Sequence, residues 1–312
     1  MKGLLKTYNK LSNFGKILLF IALLLAVIVF FKKLNGHADS VNREGYEQND
    51  QFLFKKGTEV YDDFYATIYD YLVFNNMKDE YEITQIVNKT SPTSKSVILD
   101  IGSGTGHHVA KLSDKGLNVV GLDISPAMVK EAQTKFPEFA SSFKVGDALN
   151  LSEFRNNSFT HIMCMYFTIY YFKNKRQFFN NCMEWLMPGG YLILHVVDRK
   201  KFDPILPPGN PLYVVSPQKY AKERITKTKV TFNEFVYNSN FSLDEAKNTA
   251  VFEEKFKFND GKVRKQEQVL YMEDDEDIVS LATDAGFVIQ GKIDLIKCAY
   301  DNQYLYILVK PA

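Results

Sequence analysis

The residues of this chain best placed to do chemistry are carboxylates and glycines at the ends of short apolar runs. Asp100 stands two positions before the glycine run Gly102-Ser103-Gly104-Thr105-Gly106, Asp123 closes the next apolar run, and Asp147 lies between Gly146 and Ala148 at the close of a third. Three glycines at alternate positions let backbone pass close to a ligand with no Cβ in the way. A carboxylate about 20 residues past the first glycine is placed to accept both hydroxyls of a ribose. A glycine loop with carboxylates along one crevice describes a nucleoside site.

Such a crevice needs strands that stop together. Residues 96–101, 118–123, 143–145, 160–164 and 191–197 are short, β-branched apolar runs. Helical patterns lie between them: one opens at Val109, one spans 126–136 with Ser125 as N-cap and Pro126 at its first position, and one spans 175–185. Buried strands alternating with helices imply a parallel sheet with helices on both faces. Ligands bind such sheets at the carboxyl ends of the strands.

The motifs VILDIGSGTG, VVGLDIS, VGDA and MPGGYLIL occur in this order over residues 97–194. In these the chain resembles the class I S-adenosylmethionine-dependent methyltransferases, and the resemblance extends over about residues 61–311. It implies an α/β fold, a doubly wound, mostly parallel seven-stranded Rossmann-like sheet, with S-adenosyl-L-methionine as cofactor. It also implies that Asp100 with Gly102, Ser103, Gly104, Thr105 and Gly106 holds the methionine portion and Asp123 the ribose. Asp147 with Ala148 would meet the adenine amino group, and Ile124 and Met128 would pack on the ring. The glycine spacing differs from the G-x-G-x-x-G loop that cradles a pyrophosphate, and an acid at Asp100 suits an ammonium group where it would repel a diphosphate.

Met165 and Tyr166 follow the fourth strand and are expected to line the sulfonium and acceptor region; for Tyr166 plain core packing is the alternative. Methyl transfer is an in-line displacement that needs alignment and exclusion of water. A base matters only for an acceptor that arrives protonated, and histidine is the natural candidate. His195, near the end of the fifth strand, is that candidate, against a hydrogen-bonded core histidine; His107 and His108 are expected to cap or pack at a helix start. Tyr61, Tyr65 and Tyr69 share one helical face, either an aromatic stripe on the sheet or part of a lid. Residues 199–272 interrupt the core with alternating stretches at 229–237, 250–258 and 262–271 and an Asn259-Asp260-Gly261 turn, predicting an antiparallel cap. This insertion is similar to those of glycine- or sarcosine-type N-methylating enzymes, and Arg199, Arg224 and Arg264 are candidates to pair with an acceptor carboxylate. Residues 287–294 and 304–309 supply the antiparallel finish of the sheet.

The remaining features bound the whole. The chain has 312 residues, 46% hydrophobic and 24% charged, with a formal charge of +1, so nothing marks it as a nucleic-acid binder. Cys164, Cys182 and Cys298 are scattered, without disulfide or zinc spacing, and no metal site is expected. Ile17 to Phe31 is unbroken apolar sequence flanked by Lys16 and Lys32-Lys33. With snorkelling lysines it is long enough for a single membrane span, the alternative being a signal peptide cleaved near Gly36-His37-Ala38. The expected organisation is a tail and transmembrane anchor over residues 1–34, a linker over 35–56 and a methyltransferase domain over 57–312. The implied function is methyl transfer to a small-molecule or membrane-associated acceptor, the alternatives being a protein or peptide methyltransferase or a catalytically inactive membrane-tethered scaffold. The implied partners are a small-molecule or lipid-like acceptor and the membrane, and a cytosolic body is favoured over the opposite topology. Acceptor and oligomeric state are not encoded in any motif.

Overall fold

The computed structural model describes residues 12, 15, 16, 52–205 and 216–312. The chain divides into two units, Met1–Asn49 and Asp50–Ala312. The apolar run expected to span a membrane lies outside the described residues, among which no helix is long and apolar enough to cross one.

The body begins earlier than the sequence suggests. Phe52–Lys56 is not linker but strand β1. Then come helices α1 (Asp63–Val73) and α2 (Asn76–Thr90), strand β2 (Val97–Ile101), α3 (His107–Asp114), β3 (Asn118–Asp123), α4 (Pro126–Lys135), β4 (Phe143–Val145) and β5 (Phe159–Cys164). The chain continues through α5 (Thr168–Tyr171), α6 (Lys175–Trp185), β6 (Leu186–Val197), β7 (Lys227–Thr231), β8 (Phe235–Asp244), β9 (Thr249–Phe258) and β10 (Val263–Tyr271). It closes with α7 (Asp275–Asp284), β11 (Val288–Asp294) and β12 (Gln303–Val309).

The helix starts follow from local chemistry. Asp62 accepts from the Tyr65 amide, Asn75 from Lys78, Ser125 from Met128 and Asn174 from Gln177, each satisfying an amide that the helix itself cannot. The α2 helix has no counterpart among the sequence expectations because its outward face is strongly polar. Its Ile83 and Ile86 are buried nonetheless, and their spacing is the signal that marks the inward face.

Seven strands form one sheet in the order β11-β12-β6-β5-β2-β3-β4. The pairs β2/β3, β3/β4, β2/β5 and β5/β6 are parallel, while β12 runs antiparallel to β6 and β11 to β12. The order reverses beside β2, between β3 and β5, and a doubly wound sheet opens its ligand crevice at such a reversal. One core layer packs Leu99, Ile162, Trp185 and Leu192 on one face of the sheet, and a second packs Ile83, Ile98, Met163 and Ile193 on the other.

The insertion forms a second sheet in the order β1-β10-β9-β8-β7. The Asn259-Asp260-Gly261 turn joins β9 to β10 as expected, with Gly261 N donating to Phe258 O at 3.1 Å. The alternating stretch 229–237 proves to be two strands, because the chain turns at Phe232–Glu234 and Phe232 N donates to Phe235 O. Strand β1 joins the edge parallel to β10, pairing Phe52 with Val263 through Lys56 with Glu267. The inner face of this sheet packs Tyr237 and Phe256 against Tyr65 and Leu72 of α1, so α1 lies between the cap and the crevice.

Candidate functional site

A cavity of about 570 Å³ opens over the carboxyl ends of β2, β3, β4 and β5. Gly102, Ser103, Gly104 and Thr105 form its floor, with Asp123 and Ile124 after β3 and Gly146–Leu149 after β4. Met128, Met165 and Tyr166 also line it. Asp123 ties the loop together: its Oδ2 accepts from Gly104 N at 2.9 Å and its Oδ1 from Ser125 N at 2.8 Å. Burial raises its pKa, and these two amides lower it again. Asp147 Oδ1 accepts from Leu149 N at 2.9 Å, which fixes the loop after β4.

The glycines divide into two kinds. Gly104 has φ +54°, and a Cβ there meets nothing closer than the Tyr69 ring at 3.9 Å, so the space above the loop is open. Gly106 does not line the cavity; a Cβ there would lie 2.7 Å from the Phe143 ring, and φ is +88°. Its role is the turn into α3 and close packing rather than ligand contact. Asp100 likewise lies outside the cavity wall, only 1% exposed, and neither of its carboxylate oxygens has a partner among the described residues. Desolvation pushes its pKa up to about 7. A buried unpartnered carboxylate under a glycine loop fits a cationic ligand, since an ammonium group nearby would compensate its desolvation.

On the far side, α1 and the cap meet over the cavity. The rings of Tyr61, Tyr65, Tyr69 and Tyr171 form an edge-to-face cluster with centroids 5.6–6.4 Å apart. All four line the cavity, so the expected tyrosine face both packs and faces the ligand space. Tyr61 Oη donates to Tyr171 Oη at 2.7 Å, and Tyr171 in turn donates to Gln268 Oε1. Behind them Glu254, 3% exposed, accepts from Tyr65 Oη at 3.0 Å, from Tyr237 Oη at 2.7 Å and from Gln266 Nε2 at 2.6 Å. Desolvation raises the Glu254 pKa and these donors lower it again.

Tyr166 takes φ +50°, a left-handed conformation rare and costly for a side chain of this size. The turn sends its carbonyl to His195 Nδ1, while Nε2 of His195 meets the Gln303 side-chain amide at 3.1 Å. His195 is fully buried behind Tyr166, does not line the cavity, and is held near a pKa of about 4 by desolvation and by Lys78. It is the hydrogen-bonded core histidine of the two alternatives. His107 stacks on Phe74 and pairs with Asp70 at 2.6 Å. His108 lies 3.3 Å from Glu82 and 3.6 Å from Asp79; desolvation opposes its proton, but these acids lift its pKa to about 9.

The three candidate arginines all serve the fold. Arg199 pairs with Asp274 at 2.8 Å, Arg264 with Asp62 at 2.8 Å, and Arg224 donates to the Phe202 and Arg199 carbonyls. None of them lines the cavity. Lining residues without a counterpart in the sequence reading include Lys78, Phe202, Asp203, Gln268, Tyr300 and Gln303. They come from separate elements, and no local motif joins them. Lys78 is 4% exposed, lies 2.6 Å from Glu82, and sits over the Tyr166 and Tyr300 rings at 5.1 and 5.3 Å.

A glycine loop, two strand-end carboxylates and a deep cavity at the reversal of a parallel sheet define a nucleoside-binding α/β protein. Comparison with known proteins narrows this class. Residues 99–194 match the family model described as a methyltransferase domain. A dTDP-4-amino-2,3,4,6-tetradeoxy-D-glucose N,N-dimethyltransferase of Saccharopolyspora spinosa is 28% identical over 148 residues, 45% of this chain and 57% of that protein. A ubiquinone biosynthesis O-methyltransferase of Rickettsia canadensis is 25% identical over 127 residues, 41% of this chain and 53% of that protein. The chain thus spans about half the length of the curated relatives it matches. The crystal structure of an S-adenosylmethionine-dependent methyltransferase from Clostridium acetobutylicum shares the fold, with a TM-score of 0.60 at 19% identity over 80% of this chain and 99% of that one. Residues 99–194 thus carry a methyltransferase domain, on a fold shared with an S-adenosylmethionine-dependent methyltransferase, and the cofactor is S-adenosyl-L-methionine.

Proposed function

We propose that this protein methylates an amine of a small-molecule acceptor. The observation that carries the reading is one cavity with two linings. The glycine loop, Asp123, Ile124 and Asp147 bound one end, and the tyrosine cluster, Tyr166, Phe202 and Asp203 bound the other. Bound S-adenosylmethionine supplies a methyl group on a sulfonium, a good electrophile that needs only an aligned nucleophile. The strand-end residues fit it: Asp123 for the ribose, Asp147 and Ala148 for the adenine edge, Ile124 and Met128 for the ring. Lys78 is a cation for its carboxylate.

The residues of this chain orient and shield. The tyrosines and Phe202 exclude water from the acceptor end. Asp203 is positioned to accept an ammonium and its proton; burial raises its pKa, eased by the Ser216 hydroxyl. His107 is tied to Asp70, His108 is held protonated between acids and His195 is buried behind Tyr166, so none of the three is a base free to face an acceptor. That favours an amine, nucleophilic once neutral, over an alcohol that must lose a proton as it reacts. The amino-sugar substrate in the name of the Saccharopolyspora relative agrees with this choice, as the cap over the cavity agrees with a small acceptor rather than a protein chain. The apolar run at 17–31 supports a body tethered to a membrane, with a membrane-associated acceptor as the finer reading, and the free cysteines and the cofactor favour the cytosolic side.

The test is a screen of amine, alcohol and carboxylate acceptors with radiolabelled methyl donor. Transfer to amines that falls at least tenfold in Asp203→Asn, with cofactor affinity retained, is expected. Transfer to alcohols alone would overturn the amine assignment, and failure to bind S-adenosylmethionine would overturn the whole reading.

A further inference from the structure

The outer face of the cap carries a pattern that the methyl-transfer site does not use. Across this sheet the register aligns Lys229, Asn238, Lys255, Lys265 and Phe54 in one row. Lys255 and Lys265 stand directly opposite each other, a like-charge pair that destabilises a sheet. The row on one side carries Lys257 and ends at Phe52; the row on the other begins at Lys227 and ends at Lys56. The acids of these rows are Glu253 and Glu267, and Glu267 is paired with Lys56 at 3.3 Å. Lys227, Lys229, Lys255 and Lys257 are exposed and make no ion pair among the described residues. Phe52 and Phe54 are 56% and 45% exposed and stacked on one another, with the Lys265 ammonium 5.5 Å from the Phe52 ring.

A shallow, open sheet face with unpaired lysines and exposed aromatic rings at one edge suits one kind of partner. Phosphate-rich headgroups take the ammonium groups, and the interfacial layer takes the rings, which an aqueous anion would leave in water. Where the described body begins points the same way. Phe52 opens the edge strand β1, the first strand of the body, so everything upstream, including the apolar run ending at Phe31, reaches the body through this edge. Residues 32–51 extend at most about 70 Å, which keeps the face within reach of whatever surface holds that run. Lys56 and Glu267 also border the mouth of the cavity, so the docked edge is the one beside its opening.

We infer that the outer cap face, centred on Lys229, Lys255, Lys265 and Phe52-Phe54, docks the body onto an anionic phospholipid surface. The test uses the full chain mixed with phosphatidylcholine vesicles, with the same vesicles carrying about a third phosphatidylserine, or with a short duplex oligonucleotide. Amine-reactive labelling is read by mass spectrometry at each lysine, with Lys95 as reference. Labelling of Lys229, Lys255 and Lys265 should fall at least threefold with the anionic vesicles relative to the neutral ones. It should recover at about 0.5 M salt, where screening is nearly complete. The double variant Lys255→Glu/Lys265→Glu should lose the corresponding protection of Lys229 while keeping its affinity for S-adenosylmethionine. Equal labelling with both vesicle types, protection by the oligonucleotide alone, or unchanged protection in the double variant would overturn the inference. Flotation of the same samples reports the apolar run separately. A chain that floats with both vesicle types yet keeps its lysines labelled retains its tether and loses the docking face.

Discussion

Asp123 and Asp100 illustrate how differently two carboxylates at strand ends behave. Asp123 is engaged by two backbone amides and faces the cavity, so Asp123→Ala removes both the proposed ribose contact and the pin that sets Gly104. Calorimetry should show cofactor affinity weakened by about 1–3 kcal/mol. Asp100 has no partner and a pKa pushed up to about 7. A carboxyl whose folded pKa lies above its unfolded value stabilises the fold fully below the unfolded value. That contribution is lost as pH rises from the ordinary carboxylate range through about 7. Cofactor-free Asp100→Asn should therefore gain melting temperature relative to the parent at pH 8 but not at pH 4, and equal differences at both would remove Asp100 as the cause. The glycines separate in the same way. Gly106→Ala meets the Phe143 ring at 2.7 Å and should cost about 1–3 kcal/mol of stability in denaturant titration. Gly104→Ala, with open space above it but φ +54°, should carry only the backbone strain of a left-handed alanine, about 1–2 kcal/mol, and should weaken cofactor affinity as well.

At the scale of elements, the join between cap and α1 closes the cavity on the side away from the glycine loop. Arg264 on β10 reaches both oxygens of Asp62, the α1 N-cap, at 2.9 and 2.8 Å and the Val60 carbonyl at 2.9 Å, while Glu254 holds Tyr65 one turn further on. Arg264 is 3% exposed but the Asp62 side chain is 31% exposed, so solvent screens one partner. Arg264→Ala should cost about 1–3 kcal/mol, discounted from the value for a fully buried pair. Hydrogen exchange should rise in residues 60–66 before it rises in β2 or β5. A uniform rise over the body would place the effect in global stability instead. The parts of this join that were visible in the sequence were the alternating strands and the tyrosine spacing. Arg264 was visible too, but as a candidate for an acceptor carboxylate, because nothing local shows that Asp62, 202 positions away, lies against it.

For the whole molecule, cofactor binding and folding are linked. A ligand at a hundred times its Kd adds about 2.7 kcal/mol to stability, which for a body of this size raises the melting temperature by roughly 5–10 °C. S-adenosylmethionine should produce this shift in the parent and a smaller one in Asp123→Ala. An unchanged melting temperature in the parent would contradict the cavity assignment.

The sequence by itself determined the parallel sheet, its glycine turn and the acids at its strand ends. These depend on features a few residues apart: β-branched runs, a left-handed glycine, a cap. Tertiary structure alone decided what Tyr166, His195 and the three arginines do, since their partners come from distant strands and helices. It also decided that β1 belongs to the cap, because a five-residue edge strand takes its identity from the neighbour it pairs with. Short-range backbone preferences are written in neighbouring residues, whereas burial and charge pairing are set by whichever segments the fold brings together.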